Sequence, residues 1–188
     1  MEITKTLLAT TVSTKERLNY YESVYKHIFE ITGDPSTIID IGAGINPLSF
    51  PFMDLDFVNY HAYDIDEKDV TFLNEYFKIM REEIDGCAEI LDVRSAKTEY
   101  FPHADIVFLF KVVDLLDTKK KKYSYELIRG LLESNKANYI IASFATKTLT
   151  RKKMNLQRRV GFEKALARLN FQWKDFSIEN EIFYVIYR

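Results

Sequence analysis

Acidic and glycine residues with the spacing of a nucleoside-binding site lie around a short apolar run near the start of the chain. That run, residues 38–41, includes Asp40 and leads directly into Gly42 and Gly44. Glycines at such a turn let a ligand lie against the backbone, because no Cβ stands in the way. The next apolar run ends in Asp64, a carboxylate that can accept hydrogen bonds from both hydroxyl groups of a ribose. The sequence therefore predicts a nucleoside pocket built by a strand, a glycine turn and a second strand.

The glycine pattern favours S-adenosylmethionine over a dinucleotide. The dinucleotide fingerprint G-x-G-x-x-G requires a third glycine, and Pro47 stands at that position. With Asp40 two positions before Gly42, the order D-x-G-x-G instead resembles motif I of the class I S-adenosylmethionine-dependent methyltransferases. That cofactor has no pyrophosphate, so it does not require the third glycine. The resemblance implies S-adenosylmethionine as the cofactor.

The elements around this motif alternate between strands and helices, a pattern that indicates a parallel sheet with right-handed crossovers. Two runs at the end of the chain, separated by Glu179-Asn180, predict a closing antiparallel hairpin. The expected strands span residues 38–41, 58–64, 87–91, 104–110, 139–144, 171–178 and 181–187. Together they predict an α/β fold of the class I S-adenosylmethionine-dependent methyltransferase type. It is Rossmann-like, with a mainly parallel seven-stranded sheet and a C-terminal antiparallel hairpin.

The chain is predicted to divide into an N-terminal arm and one domain. Residues 1–12 are expected to form a loosely ordered N-terminal arm, and residues 13–188 a single methyltransferase domain. The domain opens with Ser13-Thr14-Lys15-Glu16, which has the form of a capping box with Ser13 as N-cap of a helix reaching about residue 31. Farther along, the lysine run 119–122 is expected to lie within a helix.

Six segments, in order, resemble the aminoglycoside-resistance 16S ribosomal RNA methyltransferases, which methylate guanine N7 in the decoding site. They are STKERL from Ser13, IDIGAGINPLSF from Ile39, YHAYDID from Tyr60, VFLFK from Val107, SFATKTL from Ser143 and GFE from Gly161. The resemblance covers residues 13–188 and does not extend to the long N-terminal RNA-binding domain of those enzymes. The family's K-x-L-P after the fourth strand reads K-V-V-D from Lys111 here. A role in resistance and a housekeeping role in RNA methylation both fit this pattern.

The resemblance also implies a set of cofactor-binding residues. Arg17 resembles the family arginine that pairs with the cofactor carboxylate, a role that suits the guanidinium fork. Asp40 is expected to accept a hydrogen bond from the cofactor ammonium group or from a water, and Asp92 to contact the adenine amino group. Lys111 ends an apolar strand at the catalytic edge and is the one candidate for a catalytic role. The full predicted set is Arg17, Asp40, Gly42, Gly44, Asp64, Ile65, Asp92, Val93 and Lys111. Each of four residues also has a structural alternative. Arg17 could be an exposed surface arginine, Asp40 a turn-capping residue, Asp92 a surface carboxylate, and Lys111 a lysine whose stem packs along apolar surface.

Positive charge is concentrated in one part of the chain. Residues 111–168 carry 15 Lys or Arg and five Asp or Glu, a net +10, and since the whole chain has −2 the remainder has −12. Such an asymmetry indicates a polyanion partner on one face, with solvated helix surfaces as the alternative. Together with the resemblance it predicts RNA, as ribosomal RNA or the small ribosomal subunit. The expected RNA contacts are Lys147, Arg151, Lys152, Lys153, Arg158 and Arg159.

Other function classes are disfavoured. The single cysteine, Cys87, cannot form an internal disulfide, which fits a reducing, cytoplasmic setting, and no apolar run reaches membrane-spanning length. The three histidines show no metal-ligand spacing with Cys87, so no metal site is expected. Methyl transfer to guanine N7 needs no general base, because the lone pair of that nitrogen is free. A small-molecule methyltransferase on the same fold and a non-catalytic cofactor- or RNA-binding module remain alternatives.

Overall fold

A single seven-stranded sheet forms the centre of the protein. The structure, a computed structural model, describes residues 2–118, 121–146 and 158–188. The strands are β1 (Thr37–Ile41), β2 (Val58–Asp64), β3 (Ile84–Ile90), β4 (Ala104–Phe110), β5 (Ala137–Ala145), β6 (Gln172–Ile178) and β7 (Glu181–Tyr187). Their order is β3-β2-β1-β4-β5-β7-β6, with β1 to β5 parallel and β7 antiparallel to both of its neighbours. This confirms the predicted fold class.

Helices cover both faces of the sheet. They are α1 (Glu2–Leu8), α2 (Val12–Arg17), α3 (Tyr21–Thr32), α4 (Glu67–Ile79), α5 (Val113–Leu116), α6 (Tyr123–Glu133) and α7 (Val160–Arg168), with 3-10 helices at Asn46–Phe52 and Thr98–Tyr100. Within the described parts of the chain, no helix combines the length and apolar character needed to cross a membrane.

The apolar sequence of β1 follows from its place inside the sheet. Successive side chains of a strand point to opposite faces. Ile38 packs into the core under α3, α4 and the first 3-10 helix, whereas Ile39 and Ile41 pack into the core under α6 and α7. A parallel strand covered on both sides is expected to be apolar almost throughout. Asp40 is the exception, and its surroundings are described below.

The strand order reverses between β1 and β4. From β1 the chain proceeds outward through β2 and β3, then returns to place β4 on the other side of β1. The connections after β1 and β4 therefore diverge and leave a crevice at the carboxyl ends of these two strands, the place where open α/β sheets bind ligands. The fold thus brings Gly42, Asp64, Asp92 and Lys111 to one edge of the sheet, as their positions in the sequence predict.

The N-terminal region is more ordered than the sequence indicates. Residues 2–8 form α1 rather than a loose arm, and Leu8 is fully buried. The helix predicted from Ser13 is two helices, α2 and α3, and Thr11 rather than Ser13 occupies the N-cap position. The periodicity of apolar residues does not reveal the break between α2 and α3, because the core-facing residues keep a helical spacing on both sides of it. The proposed boundary between residues 12 and 13 stays a prediction.

The helix expected around the lysine run begins later than predicted. Lys119 and Lys120 lie outside the described residues, and α6 starts at Tyr123, so Lys121 and Lys122 precede it. Each of these two lysines pairs with an acid, Lys121 with Glu126 at 3.1 Å and Lys122 with Asp117 at 3.1 Å. The amphipathic spacing that defines the helix starts only after the lysines.

Candidate functional site

A cavity of about 440 Å³ opens at the carboxyl ends of β3, β2, β1 and β4. Six of the nine predicted cofactor-binding residues line it, namely Gly42, Asp64, Ile65, Asp92, Val93 and Lys111. Arg17, Asp40 and Gly44 do not line it. A larger surface cleft of about 700 Å³ lies between α3 and the Asn46–Phe52 helix and contains none of the predicted residues. Most of the predicted residues therefore gather at the strand-end cavity, and their role in binding a cofactor stays a prediction.

The glycine turn after β1 is held by the acid that ends β2. Gly42 and Gly44 have φ angles of 68° and 48°, in the left-handed region that glycine adopts at no steric cost. The carboxylate of Asp64 accepts hydrogen bonds from the backbone N–H of Gly44 at 2.7 Å and of Asp66 at 3.0 Å. A carboxylate offers about four acceptor positions, so the two ribose hydroxyls of a nucleoside can still be accommodated. Asp64 thus shapes the turn and keeps capacity for a ligand.

Gly42 also approaches the loop that follows β4. A Cβ at this position would lie 2.6 Å from Cγ2 of Val112, and the φ angle would be strained for any other residue. Replacing Gly42 with alanine is therefore expected to lower the free energy of unfolding by about 2 kcal/mol, measured by urea denaturation. Gly161→Ala is the matched control, because none of the described residues lies within 4 Å of its Cβ position. A loss no greater than that of the control would contradict the close packing of this turn.

Asp92 lies at the opposite end of the cavity from Lys111. Both of its carboxylate oxygens accept hydrogen bonds from the guanidinium of Arg94, each at 2.9 Å, and the Arg94 backbone N–H donates a third at 3.1 Å. The Arg94 side chain, then its backbone N–H, hold the pKa of Asp92 below its ordinary value. Asp92 is consequently ionised and partly paired, and Arg94, which sequence reasoning did not select, also lines the cavity.

The walls between these polar groups are apolar. Phe110, Leu91 and Leu116 line the cavity, together with Ile65 and Leu115, whose side chains are 70% and 76% exposed. Exposure of aliphatic side chains to water is unfavourable, so binding of a flat apolar group that covers them lowers the free energy of the complex. Apolar walls with a few polar groups at fixed places suit an adenine ring.

Lys111 adopts an unusual backbone conformation where β4 ends. Its φ angle is 58°, which is uncommon for a residue with a side chain. Its backbone N–H donates to Ser143 Oγ at 3.0 Å and to the Ser143 carbonyl at 3.2 Å. Its Nζ contacts Glu16 at 2.6 Å and Glu181 at 3.3 Å. Four other non-glycine residues outside the cavity, Asp54, Asn135, Asn170 and Glu179, also have positive φ angles. The predicted role of Lys111 in the site therefore stays a prediction.

Arg17 is buried behind the cavity and not on its surface. Its side chain is 4% exposed, its Nε donates to Glu181 at 3.0 Å, and one terminal nitrogen donates to Asn46 at 2.8 Å. The guanidinium lies 4.9 Å from the ring centre of Phe110, which separates it from the cavity. Burial alone lowers the pKa of Arg17, but the charge of Glu181 and of nearby tyrosines outweighs it, so the pKa is raised. Its predicted pairing with the cofactor carboxylate stays a prediction.

Asp40 is likewise enclosed beneath the glycine turn. It is 1% exposed, and one of its oxygens accepts hydrogen bonds from Asn46 Nδ2 at 2.9 Å and from the Tyr60 hydroxyl at 2.8 Å. Burial raises the pKa of this carboxyl to about 6, although both hydrogen bonds lower it. The described contacts give Asp40 a role in fixing the turn; its predicted contact with a cofactor ammonium group stays a prediction.

This raised pKa predicts a pH dependence of stability. The pKa of Asp40 is about 6 in the folded chain, compared with its ordinary value of 3.8, which applies to the unfolded chain. The contribution of this carboxyl to the free energy of unfolding is therefore fully present below about pH 4. It is lost as the pH rises through 6, and the total loss is about 3 kcal/mol. In Asp40→Asn, the amide oxygen keeps both hydrogen bonds and cannot titrate. Urea denaturation between about pH 4 and pH 7 should show the variant gaining stability relative to the parent as the pH rises. A difference that ignores pH would contradict the raised pKa.

Sequence reasoning missed the acid that organises this polar region. Glu181 opens β7, is 3% exposed, and contacts Arg17, Lys111 and the hydroxyl of Ser143. A sequence signal exists, because Glu181 alternates with Phe183 and so points to the same buried face of the sheet. An acid on the apolar face of a strand needs a buried partner, but the sequence does not identify that partner.

The predicted RNA-contacting residues fall into two groups. Lys147, Arg151, Lys152 and Lys153 lie outside the described residues. Arg158 and Arg159 directly precede α7. Arg158 pairs with Glu163 at 2.9 Å and with Asp175 at 3.4 Å. Arg159 pairs with Asp114 at 2.9 Å, and its guanidinium lies 4.7 Å from the ring centre of Phe144.

The part of the chain seen in the structure contains no cluster of three or more His, Cys, Asp or Glu residues suited to holding a metal ion. His61 and Cys87 lie side by side on β2 and β3, with Nδ1 and Sγ 3.3 Å apart. Burial, followed by the charges of Glu89 and Asp85, raises the pKa of the Cys87 thiol. The thiol is consequently a weak nucleophile and a weak ligand at neutral pH.

Comparison with known proteins identifies the family to which this chain is related. The sequence model of the ribosomal RNA methyltransferase family FmrO matches residues 3–185. A 16S rRNA (guanine(1405)-N(7))-methyltransferase of Frankia casuarinae is 27% identical over 179 residues, covering 94% of this chain and 61% of the relative. The enzyme of the same name from Proteus mirabilis is 25% identical, covering 100% of this chain and 66% of the relative. The chain therefore spans less than two thirds of the length of these relatives.

A solved structure shows the same architecture. The 16S rRNA methylase ArmA is 26% identical with a TM-score of 0.73, and the match covers 96% of this chain and 88% of that one. The family match extends over nearly all of the chain, including the strand-end cavity. This protein therefore belongs to the FmrO family of ribosomal RNA methyltransferases.

Proposed function

We propose that this protein is an S-adenosylmethionine-dependent methyltransferase that modifies N7 of a guanine in ribosomal RNA. The observation that carries the proposal is the cavity at the switch point of the sheet, where Gly42, Asp64, Asp92 and Lys111 meet in a chain of this family. The relatives described above are named as guanine-N7 methyltransferases of 16S rRNA. Their activity and substrate are extended to this chain as part of the proposal.

The residues of the cavity fit the proposed cofactor. Asp64 has acceptor positions left for two ribose hydroxyls, and the open turn at Gly42 lets a ligand approach the backbone. Asp92 can accept from the adenine amino group if Arg94 gives up part of its pairing, which is exposed to solvent and therefore weak. Lys111 supplies a positive charge at the other end of the cavity. The cofactor, when bound, supplies an electrophilic methyl group on a sulfonium.

Methyl transfer to guanine N7 requires little from the protein beyond positioning the methyl donor and the base. Guanine N7 has a free lone pair in its neutral form, so no side chain has to remove a proton from it. The cavity residues need to hold the donor and to exclude water, and the surface around them needs to align the base. Alignment of two reactants in this way contributes several kcal/mol to a rate enhancement. Lys111 then acts as a binding group, and a role in catalysis itself is not required.

The RNA partner is proposed from charge and family. The segment 111–168 has a net charge of +10, and its predicted contacts with RNA are phosphate contacts, which position the nucleic acid without reading its sequence. Arg158 and Arg159 are paired with acids in the described structure. When these two arginines bind RNA, a phosphate of the RNA replaces the carboxylate partner of each guanidinium. We also propose the cytoplasm as the location, since the small ribosomal subunit is found there.

The substrate class is tested with methyl-labelled S-adenosylmethionine. The protein is incubated with small ribosomal subunits, with free 16S rRNA, with transfer RNA and with a pool of small metabolites. Label is expected in 16S rRNA, as the subunit or as free RNA, and not in the metabolite pool or in transfer RNA. Label in the metabolites alone would contradict the proposal and favour a small-molecule methyltransferase. Cofactor binding without transfer to any substrate would favour a non-catalytic binding module.

A further inference from the structure

Arg159, the residue directly before α7, is fixed by contacts with two other elements. Its backbone N–H donates to the hydroxyl of Tyr184 in β7 at 2.9 Å, and its guanidinium lies 4.7 Å from the ring centre of Phe144 in β5. Contact with an aromatic face restricts the orientation of a guanidinium, whose N–H groups donate in its own plane. The side chain is 25% exposed. Arg159 is therefore a partly buried, preorganised cation that can still meet a ligand from solvent.

The acid that pairs with Arg159 is much more exposed. Oδ2 of Asp114, in α5, accepts a hydrogen bond from Nη2 of Arg159 at 2.9 Å, and the Asp114 side chain is 62% exposed. Among the described residues, Asp114 forms no other side-chain hydrogen bond or ion pair. Exposed pairs contribute little to stability, and a carboxylate and a phosphate both present two oxygens to a guanidinium. A phosphate can therefore replace Asp114 at this arginine.

The pair lies beside the cavity. Asp114 is followed by Leu115 and Leu116, and both of these residues line the cavity. A phosphate bound to Arg159 would therefore lie close to the place where the methyl donor is proposed to bind. Asp114 also stands where the family's K-x-L-P pattern has proline. A proline side chain carries no charge, so the family pattern does not account for the carboxylate at this position.

We infer that Asp114 is a specificity-determining residue, which keeps Arg159 from attracting RNA that does not place a phosphate in direct contact with it. The opposite charges of the pair cancel at a distance, and salt screens what remains beyond about 8 Å. Non-specific RNA binding depends on such long-range attraction. A ribosomal RNA whose fold brings a phosphate to Arg159 displaces the carboxylate and gains a charge-assisted hydrogen bond. The inference rests on the proposed function, because it assumes that RNA binds on this side of the cavity.

The test measures binding of transfer RNA, a polyanion that is not the proposed substrate, at several salt concentrations. In Asp114→Asn, Arg159 keeps its place but loses its competing carboxylate, so it neutralises one more phosphate. We expect this variant to bind transfer RNA about fivefold more tightly than the parent at physiological salt, with a slope of log affinity against log salt that is steeper by roughly 0.7 to 0.9. For small ribosomal subunits we expect an unchanged slope, because Arg159 contacts a phosphate of the subunit in both proteins.

Two further variants separate the effect of Asp114 from that of net charge. Glu133→Gln removes the same charge from another exposed pair, in which Glu133 lies 4.0 Å from Arg129. It is expected to leave transfer RNA binding unchanged, and a gain equal to that of Asp114→Asn would overturn the inference. Asp114→Asn combined with Arg159→Gln is expected to bind transfer RNA no more tightly than Arg159→Gln alone. A gain that persists without the arginine would show that Asp114 does not act through it, which also overturns the inference.

The inference and the proposed function can fail separately. A parent protein that methylates 16S rRNA, together with an Asp114→Asn variant that keeps the parent's affinity and salt slope for transfer RNA, would overturn the inference and leave the proposed function intact. A steeper slope for small ribosomal subunits would also overturn it, because Asp114 would then withhold Arg159 from the proposed substrate as well. A parent protein that binds neither transfer RNA nor small ribosomal subunits would remove both the proposed function and the inference.

Discussion

Replacing Arg17 with methionine is expected to lower the free energy of unfolding by about 3 kcal/mol, because it leaves Glu181 buried without its closest cation. The two side chains are each 4% exposed and 3.0 Å apart. Removal of one partner from a buried ion pair costs more than the pair itself contributes, since the remaining charge cannot be solvated. The loss lies at the lower end of the usual range because Lys111 still contacts Glu181 at 3.3 Å. Methionine preserves the apolar volume of the side chain.

Urea denaturation at neutral pH measures this loss, and Arg94→Met provides the control. Arg94 also pairs with an acid, Asp92, at 2.9 Å, but these side chains are 46% and 44% exposed to solvent. Exposed pairs contribute up to about 1 kcal/mol, so the control should change stability little. If the two variants lose the same amount, the buried pair does not stabilise the fold in the way described.

Replacing Asp64 with alanine is expected to weaken binding of S-adenosylhomocysteine by about 2 kcal/mol, which is a roughly 30-fold higher dissociation constant. The carboxylate is the predicted acceptor for both ribose hydroxyls, and it also holds the Gly44 N–H at 2.7 Å. Its loss removes charged hydrogen bonds to the ligand and loosens the turn against which the ligand lies. Calorimetric titration measures the change.

Asp66→Ala is the matched control for this variant. Asp66 lies two residues farther along, caps α4 by accepting from the Lys68 N–H at 2.8 Å, and does not line the cavity. Its loss is expected to cost about 1 kcal/mol of stability and to leave ligand affinity unchanged. Equal affinities of the Asp64 and Asp66 variants would remove Asp64 from the ribose site.

Local sequence patterns predicted the parts of the site that are close in the chain. The apolar run of β1, Gly42 and Asp64 are connected by backbone turns and strand pairing, so spacing alone places them together. The strand–helix alternation placed Asp92 and Lys111 at the same edge, because parallel strands all end there. Contacts of this kind follow from secondary structure, which the periodicity of the residues encodes.

The buried charge cluster could not be predicted in the same way. Arg17 and Glu181 are 164 positions apart in the sequence, and nothing local to either residue identifies the other. Arg17 does not line the cavity, and its predicted pairing with the cofactor carboxylate stays a prediction. The break between α2 and α3 was missed because Arg17 and Tyr21, the buried residues on either side of it, keep a helical spacing of four.

The proposed function is the transfer of a methyl group to N7 of a guanine in ribosomal RNA. The most direct measurement is to methylate small ribosomal subunits with labelled S-adenosylmethionine, digest their 16S rRNA to nucleosides and identify the labelled one. We expect 7-methylguanosine as the labelled nucleoside, with the yield greatly reduced for Asp64→Ala and unchanged for Asp66→Ala. Label in a different nucleoside, or no label in 16S rRNA under conditions where the protein binds S-adenosylhomocysteine, would contradict it.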